Sequence, residues 1–173
     1  MNKKNIDKLM HNNFYIIVDT REKKNKHIID AFELYGIKYI KQKCEYGDYC
    51  AMLTKDEELG INEDIILKVS VERKASLDEI GANLTRGKER FAKEMIRCTE
   101  DYGSMIIMIE GNTYSDIINE NYRIKLTSKQ FLGLLHGLYG DYKIPFIFIS
   151  QKDAPLFIYD TLKYFTRGYL KNI

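Results

Sequence analysis

An acidic and a basic residue lie two positions apart at the end of an apolar, alternating segment. Glu72 and Lys74 follow a run that begins at Ile65. Alternate side chains of a strand point to the same face, so we expect this carboxylate and this ammonium group to lie side by side. A carboxylate can hold a hard metal ion, and an ammonium group can stabilise charge on a phosphoryl group. The spacing therefore favours phosphodiester chemistry, although a surface ion pair also fits it.

Further acidic residues follow other predicted strands. Asp19 and Glu22 come after the first apolar strand, and Asp48 follows a glycine later in the chain. Asp78 lies in the first turn of the helix predicted after the Glu-x-Lys segment. Carboxylates that converge at one sheet edge repel one another unless a hard cation such as Mg²⁺ or Mn²⁺ neutralises them. For each carboxylate taken alone, a solvated strand end remains the alternative.

Basic residues concentrate just after Asp78. Four of them, at positions 86, 90, 93 and 97, are spaced four, three and four apart, so they share one face of a helix. A one-sided basic stripe fits contact with a phosphate backbone, and a solvated amphipathic face is the alternative. The candidate DNA-binding residues are Arg86, Lys88, Arg90, Lys93 and Arg97.

The apolar pattern predicts alternating strands and helices, which is typical of an α/β protein. Capping-box sequences begin two of the helices, at Ser76 and at Thr127. We expect the early strands to form a meander and the later ones to connect through helices. The predicted strands are 14–18, 37–44, 46–54, 65–73, 104–109 and 144–149, and the main helices are 28–36, 76–84, 87–101, 128–139 and 155–167.

Composition narrows the class of protein. The 173 residues are 45% hydrophobic and 30% charged, which argues against disorder and fits one domain over 1–173. No apolar run reaches the ~18–20 residues of a membrane span, and the first residues lack the apolar core of a secretory signal. We therefore expect no membrane contact. The three cysteines and three histidines show no zinc-ligand spacing, so we expect that any metal is bound by oxygen. We also expect the thiols to be reduced, as in a cytoplasmic protein.

The motifs together closely resemble the nuclease domain of the XPF/Mus/Hef structure-specific endonucleases. The resemblance is carried by Val18 to Glu22, Gly47-Asp48-Tyr49 and Val71 to Asp78, and it spans about residues 14–111. It implies a restriction-endonuclease-like α/β fold, with a central mixed β-sheet flanked by helices. It also implies a Mg²⁺- or Mn²⁺-dependent endonuclease that cleaves branched, flap-bearing or junction DNA, as in DNA repair or recombination.

The resemblance also implies roles for individual residues. Asp48 and Glu72 correspond to metal ligands, and Lys74 corresponds to the catalytic lysine. Asp19 and Glu22 correspond to outer acidic positions, with Asp19 a further candidate metal ligand. The resemblance assigns a supporting role to the remaining two residues of the motif, Arg73 and Asp78.

One feature departs from the usual pattern of the family. No tandem helix-hairpin-helix module is evident in residues 140–173. The resemblance implies pairing as a homodimer or heterodimer, for which the helix 128–139 and the aromatic tail helix could serve, or both could simply pack on the sheet. The stand-alone domain and the Lys/Asn/Ile-rich composition suit a bacterial or phage protein.

Two other functions stay open at this point. One is a catalytically inactive DNA-binding or dimerisation subunit, although Asp48, Glu72 and Lys74 are all retained. The other is a restriction-type or recombination nuclease with the same chemistry on linear duplex or four-way junctions. No element that reads a base sequence is evident, so we expect recognition of DNA shape and backbone.

Overall fold

The computed structural model describes all of residues 1–173. Six strands and seven helices follow one another in nearly the predicted order. The chain divides into two compact units, residues 1–71 with 155–173, and residues 72–154. None of the helices combines the length and the apolar character that crossing a membrane requires.

The strands form one mixed sheet. They are β1 (Phe14–Val18), β2 (Tyr39–Lys41), β3 (Tyr49–Leu53), β4 (Ile65–Lys74), β5 (Ser104–Glu110) and β6 (Phe146–Ile149). Their order across the sheet is β2-β1-β3-β4-β5-β6, with both parallel and antiparallel neighbours. The predicted central mixed sheet flanked by helices is therefore confirmed.

The helices account for the other half of the architecture. They are α1 (Lys3–Asn12), α2 (Lys26–Leu34), α3 (Leu77–Leu84), α4 (Lys88–Glu100), α5 (Tyr114–Ile118), α6 (Ser128–Tyr142) and α7 (Ala154–Lys171). The predicted break between α3 and α4 is confirmed. Gly140 was predicted to end α6, but the helix continues to Tyr142 and ends at Lys143, which takes a left-handed conformation.

The predicted meander of the early strands is correct for β3 and β4, which are antiparallel neighbours, but wrong for β2, which does not lie beside β3. β2 pairs with β1 in parallel, after a crossover through α2, and β3 pairs with β1 in the antiparallel sense. Burial explains the order, because all five residues of β3 are buried whereas the three residues of β2 are partly or fully exposed. The apolar strand occupies the interior of the sheet, and the short polar one occupies its edge.

The strand that carries the Glu-x-Lys motif becomes buried on both faces toward its end. The apolar residues of its alternating pattern, Leu67, Val69 and Val71, lie in the core. On the opposite face the first member, Lys68, is exposed. The later members of that face are all buried, with exposed fractions of 0% for Ser70, 5% for Glu72 and 6% for Lys74.

A helix cap fixes the point at which β4 gives way to α3. The Ser76 hydroxyl accepts a hydrogen bond from the Glu79 backbone N–H at 3.2 Å, as the capping-box sequence predicts. The Glu79 carboxylate accepts from the backbone N–H of Ala75 at 2.9 Å, one residue before the position that a capping box uses. The strand therefore ends and the helix begins within three residues of Lys74.

Candidate active site

The first unit contains a buried carboxylate at the end of β1. Asp19 is 2% exposed, and its Oδ1 accepts hydrogen bonds from the backbone N–H and Nε of Arg21, at 2.7 and 2.8 Å. Its Oδ2 accepts from Arg21 Nη2 and from the backbone N–H of Cys44, both at 2.8 Å. Four donors match the roughly four lone-pair sites of a carboxylate. Asp19 thus ties the end of β1 to the segment before β3.

These hydrogen bonds set the charge state of Asp19. Burial alone would raise its pKa, but the hydrogen bonds from Arg21 and Cys44 and the arginine charge outweigh burial and hold the pKa below its usual value. Nearby, Glu22 Oε1 accepts a hydrogen bond from the backbone N–H of Lys24 at 3.1 Å. The assignment of Asp19 as a metal ligand, and of Glu22 as an outer acidic position, stays a prediction.

A glycine brings the backbone of Asp48 close to β4. Gly47 has a φ of +72°, and a Cβ at this position would lie 2.7 Å from the Cβ of Ser70. Only glycine allows both the left-handed conformation and the close approach. The backbone N–H of Asp48 then donates to the Val71 carbonyl at 3.0 Å, and the Asp48 carbonyl accepts from the N–H of Asp19 at 2.8 Å. A backbone hydrogen bond thereby joins Asp19 and Asp48 within this unit.

The second unit holds the acid and the base of the Glu-x-Lys motif. Lys74 Nζ lies 2.5 Å from Glu72 Oε1, and both side chains are 7% exposed. The juxtaposition that the strand period predicts is present. The pair is buried, however, so it is not the solvated surface ion pair that fitted the same spacing.

Burial perturbs the protonation of Glu72. Desolvation raises its pKa to about 7, and the nearby charges of Glu94 and Glu79 add to this rise. The Lys74 ammonium group acts in the opposite sense but does not cancel it. A carboxyl that titrates near neutral pH inside a protein is a frequent mark of a functional site.

An aromatic ring from α4 closes over the lysine. Lys74 Nζ lies 4.8 Å from the centroid of the Phe91 ring, within the range of a cation–π contact. Phe91 is itself buried on the core side of α4, together with Met95 and Cys98. The ring limits the positions that the lysine side chain can take.

Arg73 points away from the Glu-x-Lys pair and into the protein. Its Nε lies 2.5 Å from Oε2 of Glu110 at the end of β5, and the two side chains are 5% and 3% exposed. Period-two alternation predicts the opposite orientation of Arg73 relative to its neighbours, and the structure agrees. A buried Arg–Glu pair joins the end of β4 to the end of β5.

Asp78 lies in the first turn of α3 and binds a distant loop. Its carboxylate accepts hydrogen bonds from the backbone N–H groups of Arg123 and Ile124, at 2.7 and 2.9 Å, and from Arg123 Nε at 3.0 Å. Burial opposes ionisation of Asp78, but these bonds outweigh it and hold its pKa below the usual value. Arg73 and Asp78 therefore each have a partner from elsewhere in the chain.

The candidate DNA-binding residues all lie on the surface. Arg90, Lys93 and Arg97 are exposed along one face of α4, as predicted. Arg86 was predicted on the same helix face, but it lies in the turn before α4, since the helix begins at Lys88.

The donor chemistry of the site fits a hard cation in an open setting. No group of three or more His, Cys, Asp or Glu side chains is arranged to enclose a metal ion. Mg²⁺ commonly binds through only one or two carboxylates and keeps waters and phosphate oxygens as its other ligands. The assignment of Asp48 and Glu72 as ligands stays a prediction, and Glu72 is a buried carboxyl whose charged form lacks solvation. The residues present are compatible with Mg²⁺ or Mn²⁺.

The family model of the ERCC4 domain matches residues 18–159. The chain belongs to the ERCC4 domain family. A solved structure, XPF from Aeropyrum pernix, shares the fold of this ERCC4 domain, with a TM-score of 0.62 and 22% sequence identity. The similarity covers 88% of this chain and 61% of that one. A search of the curated proteins gave no match.

The ERCC4 assignment confirms the resemblance that the motifs carry. The matched residues run past 111, the predicted end of the family-like core, and reach α7. The shared structure confirms the restriction-endonuclease-like fold.

Some residues around the site were not predicted. Glu110 directly follows the predicted strand 104–109, and its pairing with Arg73 could not be predicted because it depends on which strands are neighbours. The contact between Phe91 and Lys74 was not predicted either. Arg123 lies in a stretch without periodic apolar residues. The one sequence signal for these contacts was Glu110, an acidic residue directly after the apolar run 104–109.

Proposed function

We propose that this ERCC4 domain is a divalent-metal-dependent endonuclease that hydrolyses phosphodiester bonds in branched, flap-bearing or junction DNA. The observation that carries the proposal is the buried contact between Glu72 and Lys74 within a chain of this family. The family assignment supports divalent-metal dependence in general. Pairing of two copies through α6 and α7 stays a prediction.

Each motif residue has a role in the proposed reaction. Asp48 and Glu72 would hold the metal, and Lys74 would place its ammonium group beside the phosphate that is attacked. When bound, Mg²⁺ or Mn²⁺ supplies Lewis-acid polarisation of the phosphoryl oxygens and a bound water of lowered pKa. Lys74 stabilises the negative charge that develops on the phosphoryl oxygens, and Phe91 limits the motion of its side chain.

Arg73 and Glu110 would act on the site through structure. Their buried pair fixes the end of β4, which carries the two reactive neighbours of Arg73 on its other face. A hydrogen-bonded arginine on this face ties the strand end to the end of β5. The geometry of Glu72 and Lys74 is thereby held before any substrate arrives.

A cleavage panel tests the proposed function. The protein is incubated with Mg²⁺ or Mn²⁺ and end-labelled linear duplex, flap, fork and four-way junction DNA, and products are separated on denaturing gels. We expect cuts near the branch of the flap and fork, little cleavage of linear duplex, and none in EDTA. DNA binding without cleavage under every metal would contradict the proposal and favour an inactive subunit. Equal cleavage of linear duplex would contradict structure specificity.

Metal affinity is expected to depend on pH through Glu72. Because its pKa is raised to about 7, a proton competes with the metal below that pH. We expect the Kd for Mn²⁺ to rise about tenfold for each pH unit below 7 and to change little above pH 8. Calorimetric titration without DNA, in buffers of different ionisation enthalpy, measures both the affinity and the proton released.

The raised pKa of Glu72 also predicts how the stability of the protein depends on pH. The folded-state pKa of Glu72 is above its unfolded value, so its contribution to stability is complete at low pH and is lost as pH rises through about 7. The Tm of the metal-free protein should therefore fall as the pH rises from about 4.5, the usual pKa of this carboxyl, to about 7, and this group should change it little above pH 8. Glu94→Gln removes a charge that raises this pKa, so it should move the inflection in metal affinity to lower pH. An inflection that Glu94→Gln leaves in place would refute the assignment to Glu72.

A further inference from the structure

The loop between α5 and α6 is fixed to α3 by Asp78. One oxygen of this carboxylate accepts two consecutive backbone N–H groups, those of Arg123 and Ile124, and the other accepts Arg123 Nε. The carboxylate is only 29% exposed, whereas the Arg123 side chain is 93% exposed. The bonds to the backbone hold the loop, and they leave most of the guanidinium group in solvent.

Packing holds the same loop from its other side. A Cβ on Gly81 of α3 would lie 3.0 Å from the Ile124 side chain, so Ile124 packs directly against the α3 backbone. The ring of Tyr122 packs edge-on against Phe131 of α6 with a centroid separation of 5.0 Å. The loop is therefore a fixed surface, and its charged side chains occupy a defined position.

Three cations converge on one open concavity beside this loop. The concavity has a volume of about 410 Å³ and is lined by Thr85, Arg86, Arg123, Ile124 and Lys125. All three basic side chains are exposed, and no acidic residue lines the concavity. Asp78 is the ion-pair partner of Arg123, while Arg86 and Lys125 have no ion-pair partner.

Uncompensated cations that face one cavity favour an anionic ligand. A guanidinium group offers a planar fork of donors that fits phosphate oxygens. Arg86 also lines a second open concavity of about 450 Å³, together with Lys88 and Arg90 at the start of α4. The two concavities share Thr85 and Arg86 and so form one path, which presents five basic side chains and one acidic side chain, that of Glu89. The ligand that fits this path is a polyphosphate chain such as a DNA strand.

We propose that Arg86, Arg123 and Lys125 form a second contact with the DNA backbone, and that Asp78 is the positioning residue that holds this contact on α3. The inference rests on the proposed function, because it assigns the path of the substrate. It extends the DNA-binding surface from the α4 stripe to a loop some 45 residues beyond Asp78 in sequence.

Binding without cleavage tests the contact. The affinity of a labelled fork DNA is measured by fluorescence anisotropy in EDTA, over a range of salt concentrations, for Arg86→Ala, Lys125→Ala and the double variant. Each substitution should weaken binding roughly three- to tenfold and reduce the slope of log affinity against log salt by about 0.9 for a duplex arm. Lys152→Ala removes an exposed lysine outside both concavities and should match the wild type.

The positioning role of Asp78 needs a separate measurement. If Asp78 acts by holding the loop, Lys125→Ala should cost much less affinity in an Asp78→Ala background than alone. Additive losses would overturn the positioning role. If the wild type binds and cuts DNA but the cavity variants behave like Lys152→Ala, the second contact is overturned and the proposed function stands. A wild type that neither binds nor cuts DNA would overturn both.

Discussion

Lys74→Ala is expected to abolish cleavage while DNA binding is retained. The ammonium group of Lys74 lies in a buried position beside Glu72, where electrostatic effects are stronger than in water. Removing one donor that stabilises the charge of a transition state costs about 10²- to 10³-fold in rate, and we expect at least this loss. Single-turnover cleavage of a flap DNA in saturating Mg²⁺ measures the rate of the chemical step.

Asp48→Asn should give the same loss by a different route. An amide oxygen is a weaker ligand for a hard cation than a carboxylate, so cleavage should fall and a higher concentration of Mn²⁺ should be needed. The backbone N–H of Asp48 that donates to Val71 is unchanged by the substitution, so the strand register should survive. Circular dichroism and anisotropy in EDTA check the fold and the binding of both variants.

Lys68→Ala is the matched control for Lys74→Ala. Lys68 lies on the same strand and on the same face, six residues earlier, but it is exposed. The Lys68→Ala variant loses the same charge as Lys74→Ala but leaves the buried pair intact, so its rate of cleavage should equal that of the wild type. Cleavage by Lys74→Ala at the wild-type rate would rule out the proposed role of this lysine. A Lys68→Ala rate as low as that of Lys74→Ala would show that net charge is responsible.

Arg73→Ala is expected to have the largest effect on folding. It leaves the Glu110 carboxylate, which is 3% exposed, without the guanidinium group that lies 2.5 Å away. Breaking a buried ion pair from one side typically costs about 3–5 kcal/mol, because the remaining charge is not solvated. Denaturant titration of the metal-free protein should show a lower midpoint with an unchanged slope.

A double variant distinguishes the effect of the Arg73–Glu110 ion pair from the effects of its two side chains. Arg73→Met with Glu110→Met removes both buried charges and keeps much of the volume, so it should be more stable than either single variant. Arg123→Ala is the surface control, since its own pair with Asp78 leaves the side chain 93% exposed and should contribute little. Additive losses in the double variant would show that the two side chains act independently.

The core face of β4 and the order of most elements could be predicted because they depend on local periodicity. Leu67, Val69 and Val71 alternate, and the Ser76 hydroxyl caps the next helix where its sequence places it. The placement of β2 could not be predicted in this way, because three residues carry too little apolar signal to distinguish an edge strand from a hairpin partner. Strand order depends on contacts that are distant in sequence.

The chemistry of the site was predictable as a set of residue types, but its environment was not. The alternation of β4 places Glu72 beside Lys74, yet it gives no indication that both are buried, since Phe91 and the acids around them come from later elements. The assignment of Asp78 to a supporting role came from a motif, and the loop that it binds begins more than 40 residues later. Contacts between residues so far apart in the sequence produce no regular spacing from which they could be predicted.

Each buried acid of this protein pairs with a cation of the same chain. Asp19 pairs with Arg21, Glu72 with Lys74, and Glu110 with Arg73. Charge is therefore balanced inside the folded chain before any metal ion arrives. This contrasts with zinc-dependent domains, in which the metal supplies the folding free energy. Scarcity of divalent metal should then lower the activity of this protein without reducing the amount of it that is folded.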